Sequence, residues 1–201
     1  MKFPLVIEQA LTEIKAFQTQ AGFEYERKLR QDEVLFSCRK GCHYCCHYPF
    51  LITVAEGILL HRDLASRGHW TPSLQKALEE HREKTLGLSI EVWLLTNIPC
   101  PLLEDGMCAA YSIRPLHCRA TFSVGDPEMC HPHSLGNSTM LIPSSEVVVE
   151  YCETLLARLR RIEMLEALMP LSEAVLLGAS LEMGSLEIND LRFQYTKDFY
   201  A

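Results

Sequence analysis

Hydrophobic positions at the start of the chain recur at helical intervals. Ile7, Leu11, Ile14, Ala21, Tyr25 and Leu29 largely follow one face of a 3.6-residue repeat, which predicts a helical arm over residues 1–36. Gly22 marks the expected break in it, because glycine is costly inside a helix. A second helix is predicted from Thr53. Thr53-Val-Ala-Glu56 has the form of a capping box, in which hydroxyl and carboxylate satisfy each other's orphan backbone donors. That helix should run through Leu60 and Leu64 and stop near Gly68. A third has Thr71 as its cap and Pro72 at the first helical position, where the missing N–H costs nothing. A short apolar segment covers Ile90 to Leu95. The longest late helix is expected from Ser144 or Ser145 to just before Pro170, and another from about Glu173 to Met183.

Strand signals are few and short, the best lying around Asp105-Gly106. The pattern predicts a mainly α fold with at most a short β-hairpin. It divides one domain, residues 1–201, into the arm, an irregular cysteine-rich middle over 37–133 and C-terminal helices over 144–184. No internal repeat, low-complexity stretch or flexible linker stands out.

Composition adds limits. The 201 residues are 48% hydrophobic and 22% charged, a globular balance. Net charge is −7 with no basic tract, which argues against a nucleic-acid partner. No apolar run approaches the roughly 20 residues of a membrane span. The run Phe3-Pro4-Leu5-Val6-Ile7 ends at Glu8, too early for a signal peptide. A cytoplasmic location is therefore expected.

Nine cysteines change the picture. An odd count without an export signal favours metal ligands or catalytic thiols over disulfides. Eight fall between Cys38 and Cys130, and only Cys152 lies outside. The first cluster, Cys38-Arg-Lys-Gly-Cys42-His-Tyr-Cys45-Cys46, places four thiols in nine residues around a glycine turn. Adjacent Cys45 and Cys46 should diverge, so they serve two metals, or one ligates while the other packs beside it. The second cluster is Cys100-Pro-Leu-Leu-Glu-Asp-Gly-Met-Cys108. With a two-residue turn, strand alternation puts Cys100 and Cys108 on opposite faces. A three-residue loop, with Gly106 left-handed in a bulge, puts them on one face, so a shared metal favours that longer loop. Pro115 disfavours helix at Arg114, and a tight turn or short helix then presents Cys118. Cys130 lies in a loop rich in Gly, Asp and Pro.

Several thiolates on one divalent ion leave net negative charge that is costly to bury. Arg39 and Lys40 beside the first cluster, and Arg114 and Arg119 beside Cys118, are the candidate compensating cations.

These motifs resemble the zinc- or iron-chelating cysteine-cluster family of the CxxCxxCC or YkgJ type. The resemblance rests on the Cys38–Cys46 cluster, Cys100-Pro-Leu-Leu, Gly106-Met-Cys108, Tyr111, Arg114-Pro115 and Cys118-Arg119. It implies that Cys38, Cys42, Cys45, Cys46, Cys100, Cys108, Cys118 and Cys130 fill eight metal-associated positions. The sequence departs from the pattern in two places. Three residues separate Cys38 from Cys42 where the family has two, and His43 stands where it often has glycine. A related cysteine pattern occurs in flagellin lysine N-methylases. In addition, Cys38-x3-Cys42-x-Tyr44-Cys45 is similar to the CxxxCxΦC spacing with which radical S-adenosylmethionine enzymes hold a [4Fe–4S] cluster.

Among the other residues, His43, His47, His117, His131 and His133 lie near cysteines and could each replace a thiolate; with eight cysteines present they are expected beside the ligands or at the surface, His131 and His133 being the best candidates to ligate. His61, His69 and His81 have no ligand context and are expected at the surface. Cys152 falls on a helical stripe with Val148, Leu155 and Leu159 and is expected in the core. Trp70 and Trp93 are expected to pack. No phosphate-binding loop or hydrolase elbow is present. Three function classes stay open: a protein that binds and handles zinc or iron, an iron–sulfur enzyme such as an S-adenosylmethionine-dependent methyltransferase, and a zinc-stabilised interaction module. No catalytic residue and no protein partner is identified.

Overall fold

The N-terminal stripe forms one helix, α1 (Leu5–Gln31), in the computed structural model, which describes residues 3–31, 38–121, 127–130 and 168–186. Ile7, Leu11 and Ile14 are its buried face. The helix passes through Gly22 without the expected break. A single glycine costs only about 1 kcal/mol, less than the tertiary packing that holds the apolar face.

Local signals place the helices that follow, though not the first strand. After a single 3₁₀ turn (Tyr44–His47) comes β1 (Leu51–Thr53) and then α2 (Val54–Ser66), capped by the full Thr53/Glu56 box. Gly68 follows at φ +72°. Helix α3 (Pro72–Thr85) takes its cap from Thr71, and α4 (Ile90–Thr96) takes its own from Ser89. The hairpin β2 (Leu103–Glu104) and β3 (Met107–Cys108), a 3₁₀ turn (Tyr111–Ile113), α5 (Leu116–Ala120) and a 3₁₀ turn (Pro127–Cys130) follow. The last described elements are β4 (Leu168–Pro170) and α6 (Leu171–Met183). The fold is mainly α. The helix expected from Ser144 lies otherwise outside the described residues, but it does not extend to Met169. Pro170 biases the residue before it toward extended geometry, and Leu168–Pro170 pairs with β1 instead.

That pairing brings together two similar units. The strand–helix unit β1–α2 (51–66) is matched by β4–α6 (168–183), and five of sixteen aligned residues are identical: Leu51/Leu168, Glu56/Glu173, Leu59/Leu176, Leu60/Leu177 and Leu64/Leu181. Equivalent positions also meet. Ile52 pairs with Met169, and Gly57 lies against Ala174, so a local two-fold axis passes between them. The chain thus contains an internal repeat, which sequence inspection missed because the copies are short and far apart.

The two helices touch backbone to backbone. A Cβ on Gly57 would lie 2.1 Å from the Ala174 carbonyl oxygen, and one on Gly178 would lie 2.7 Å from the Ile58 nitrogen. Around this contact Ile52, Ile58, Leu60, Leu64, Met169, Val175 and Leu181 form the core, with α1 and α3 packed over it.

Arg62 pins three helices at the edge of that core. It makes a bidentate pair with Glu8 of α1, both contacts at 2.8 Å, and its Nε donates to Glu182 of α6 at 2.8 Å. Its guanidinium also lies 5.5 Å from the centre of the Phe3 ring. Arg62→Ala is expected to lower stability by about 1–2 kcal/mol, since bidentate geometry and partial burial raise it above an ordinary surface pair. Urea midpoints at low and high salt check this. The loss should shrink with salt, and a salt-independent loss would assign the effect to packing instead.

Among the described residues, no helix is long and apolar enough to cross a membrane.

Candidate metal centre

Four segments carry the clustered cysteines, and the backbone ties them together. Arg39 O accepts from Cys42 N at 2.9 Å, and Gly41 beside it turns the chain at φ +93°. The following 3₁₀ turn places Cys45 and Cys46. The second cluster is joined directly to the first, because Cys100 N donates to Cys46 O at 2.7 Å. The third is fixed by Leu116 N, which donates to Glu56 Oε1 at 2.8 Å, and by His117 Nδ1, which donates to Leu51 O. The fourth hangs from two tyrosines. Tyr48 donates to Cys130 O at 2.8 Å, and Tyr44 donates to Glu128.

The hairpin departs from the longer loop favoured above. Leu103 pairs with Cys108 and Glu104 with Met107, a two-residue turn with Asp105 at φ 48° and Gly106 at φ 75°. Gly106 is left-handed as expected, without a bulge. Cys100 nevertheless reaches the same side as Cys108. Strand alternation ends at the Leu102–Ala109 contact, and Cys100 starts a tight turn in which Leu103 N donates to its carbonyl at 3.0 Å. The opposite-face argument fails because Cys100 is not in a strand.

The result is a cavity of about 60 Å³ whose wall carries six cysteines: Cys42, Cys45, Cys46, Cys100, Cys108 and Cys118. Adjacent Cys45 and Cys46 both contribute to it. Tyr48, Phe50, His81, Trp93, Tyr111 and Arg114 complete the polar and aromatic lining. That volume accommodates a few water-sized particles, the scale of an ion and its partners. Cys130 is buried next to Cys42, and Cys38 is half-buried outside the wall. All eight are free thiols. Among the described residues, no three Cys, His, Asp or Glu side chains are placed closely enough to hold a metal ion as they stand.

The flanking cations divide into different roles. Arg114 lines the cavity, stacks its guanidinium 4.0 Å from the centre of the Tyr111 ring, and draws Cys45, Cys108 and Cys118 toward the thiolate form. Arg119 instead donates to the Ser112 and Arg114 carbonyls and so holds the turn that presents Arg114. Arg39 and Lys40 are exposed. His131, His133 and Cys152 lie outside the described residues. The surface expectation holds for His69 but not for His61 and His81, which are both buried. His61 packs edge-on to Trp70, and His81 hydrogen-bonds Ser172. A helical stripe was the available signal for His81: Leu74, Leu78, His81 and Thr85 share the buried face of α3.

The sequence matches the CxxCxxCC family, described as "Putative zinc- or iron-chelating domain", over residues 37–141, just over half of the chain. The chain belongs to the CxxCxxCC family. It is a cysteine-rich protein, and the domain that defines its family is the one so described. No curated protein and no solved structure matches it.

The chemistry of this CxxCxxCC site fits a soft cation. Burial pushes the Cys100 thiol up to about 12 and Cys118 well above the ordinary range, and it raises Cys42 and Cys108 as well. A hydrogen bond with Cys46, added to burial, does the same to Cys45. Thiols this desolvated stay protonated unless a positive charge comes among them, and a metal that displaces their protons would supply it. Two donor-only atoms of wall residues, Trp93 Nε1 and Arg114 Nε, are buried without a hydrogen-bond partner among the described residues. Metal-bound sulfur is an acceptor for such donors.

Proposed function

We propose that the six wall cysteines, with Cys130 and Cys38 at its margin, form a thiolate metal centre through which this protein takes up and holds zinc or iron. The observation that carries this is the convergence of Cys42, Cys45, Cys46, Cys100, Cys108 and Cys118 from three separate segments onto one small cavity beside Arg114. Loading draws these side chains inward, so metal binding and local ordering are coupled. The donor set suits zinc and iron–sulfur ligation alike, and Arg114 offsets part of the charge that the thiolates leave. A set of free thiols of this kind belongs in a reducing cytoplasm. A net charge of −7 without a basic tract argues against a nucleic-acid partner.

Metal per chain after anaerobic purification tests the assignment. Cys118→Ser replaces a soft thiolate with a hydroxyl that stays protonated, so bound metal should fall by at least half. Cys152→Ser should retain wild-type metal. The reading fails when Cys118→Ser keeps its metal while Cys152→Ser loses it. A brown protein with acid-labile sulfide identifies an iron–sulfur cluster, and a colourless one holding zinc identifies mononuclear thiolate sites.

A further inference from the structure

We infer that His81, on a helix outside the cysteine motifs, supplies an imidazole nitrogen to this centre, making it a mixed sulfur–nitrogen site. The inference rests on the metal reading above. His81 belongs to α3, a segment that carries no cysteine, yet its side chain is part of the same wall as the six thiols. The residue is 7% exposed.

The ring is held the way a metal-binding histidine is held. Its Nδ1 lies 3.0 Å from Ser172 Oγ, and Ser172 is fully buried at the start of α6. Thr85 Oγ1 donates to the His81 carbonyl at 2.9 Å, which steadies the turn of α3 below it. Trp93 packs against the ring at 5.7 Å between centroids. When Nδ1 donates to Ser172, Nε2 keeps its lone pair and has no protein partner among the described residues. A histidine that ligates through one nitrogen ordinarily gives its other N–H to a fixed partner, which sets tautomer and orientation. Here Ser172 is that partner. Replacing one thiolate by neutral imidazole also lowers the negative charge that Arg114 alone must offset.

Zinc X-ray absorption on the full-length protein loaded with Zn²⁺ tests this. The wild type should show a nitrogen shell near ~2.0 Å with the outer-shell scattering of an imidazole, beside sulfur at ~2.3 Å. His81→Cys should bind zinc with an all-sulfur shell, which also shows that the position tolerates change. His81→Ala should lose the imidazole signature and bind at least tenfold more weakly. Ser172→Ala should keep the signature while affinity drops about tenfold, the usual cost of removing an outer partner. Zinc bound by the wild type through sulfur alone overturns the inference and leaves the cysteine centre standing. Imidazole scattering that persists in His81→Ala overturns it too. Wild-type protein that takes up no zinc or iron overturns the metal reading itself.

Discussion

Gly57→Ala is expected to destabilise the chain by more than about 3 kcal/mol, above the ordinary range for an overpacked core. Helix propensity alone predicts the opposite sign, since alanine is favoured over glycine inside a helix by about 1 kcal/mol. Contact decides it. The added methyl would sit 2.1 Å from the Ala174 oxygen and 2.4 Å from its carbonyl carbon. Those are backbone atoms of α6, which cannot rotate away as a side chain does. The helices would have to separate along their whole contact, and the β1–β4 pairing that leads into both would open with them. Gly178→Ala meets the Ile58 nitrogen at 2.7 Å and should cost about 2–3 kcal/mol. Urea unfolding of both variants measures this. A Gly57→Ala midpoint at or above wild type would show that the helices are not in contact there.

The same contact shows where sequence inspection stopped. Thr53-x-x-Glu56 and Thr71-Pro72 were legible because a cap is satisfied by atoms within one turn. The Ile7, Leu11 and Ile14 stripe was legible because periodicity needs no partner. The β1–β4 pair was not, because Leu168-Met169-Pro170 is extended only by pairing with residues more than a hundred positions earlier. Its local pattern continues the apolar spacing that precedes it, and Pro170 was the one local sign of extended backbone.

The centre divides along the same line. Spacing and family resemblance singled out eight cysteines, and the structure brings six of them to one wall. The longer hairpin loop does not form, because strand alternation ends with β2 and does not extend to Cys100. His81 was placed at the surface because a lone histidine among the polar residues of α3 has no motif. Its phase with Leu74 and Leu78 is the only signal, and the cysteines that line the same cavity lie on other segments.

Glu56→Ala should be the most damaging single change at a charged residue, costing about 3–4 kcal/mol and lowering metal content with it. Glu56 is buried, and both its oxygens are fully used. Oε1 accepts from Gln18 Nε2 of α1 at 2.7 Å and from Leu116 N at 2.8 Å. Oε2 accepts from Thr53 N at 2.9 Å and from Thr53 Oγ1 at 3.1 Å. One capping carboxylate therefore joins α1, the start of α2 and the start of the helix that carries Cys118. Alanine leaves two backbone N–H groups and an amide buried without acceptors, each worth about 1–3 kcal/mol before relaxation. Glu56→Gln retains a carbonyl oxygen for Gln18 and Leu116 but sets its amide against the Thr53 N–H, so about 1–2 kcal/mol is expected. Thr53→Ala removes only the hydroxyl cap and should cost about 1 kcal/mol. Urea midpoints should rank the three in that order. Metal per chain should fall for Glu56→Ala, because Leu116 N is the anchor that holds α5, and Cys118 with it, against the cavity. A Glu56→Ala protein no less stable than Thr53→Ala, with wild-type metal, would show that the carboxylate is only a cap and that Cys118 is positioned by other contacts.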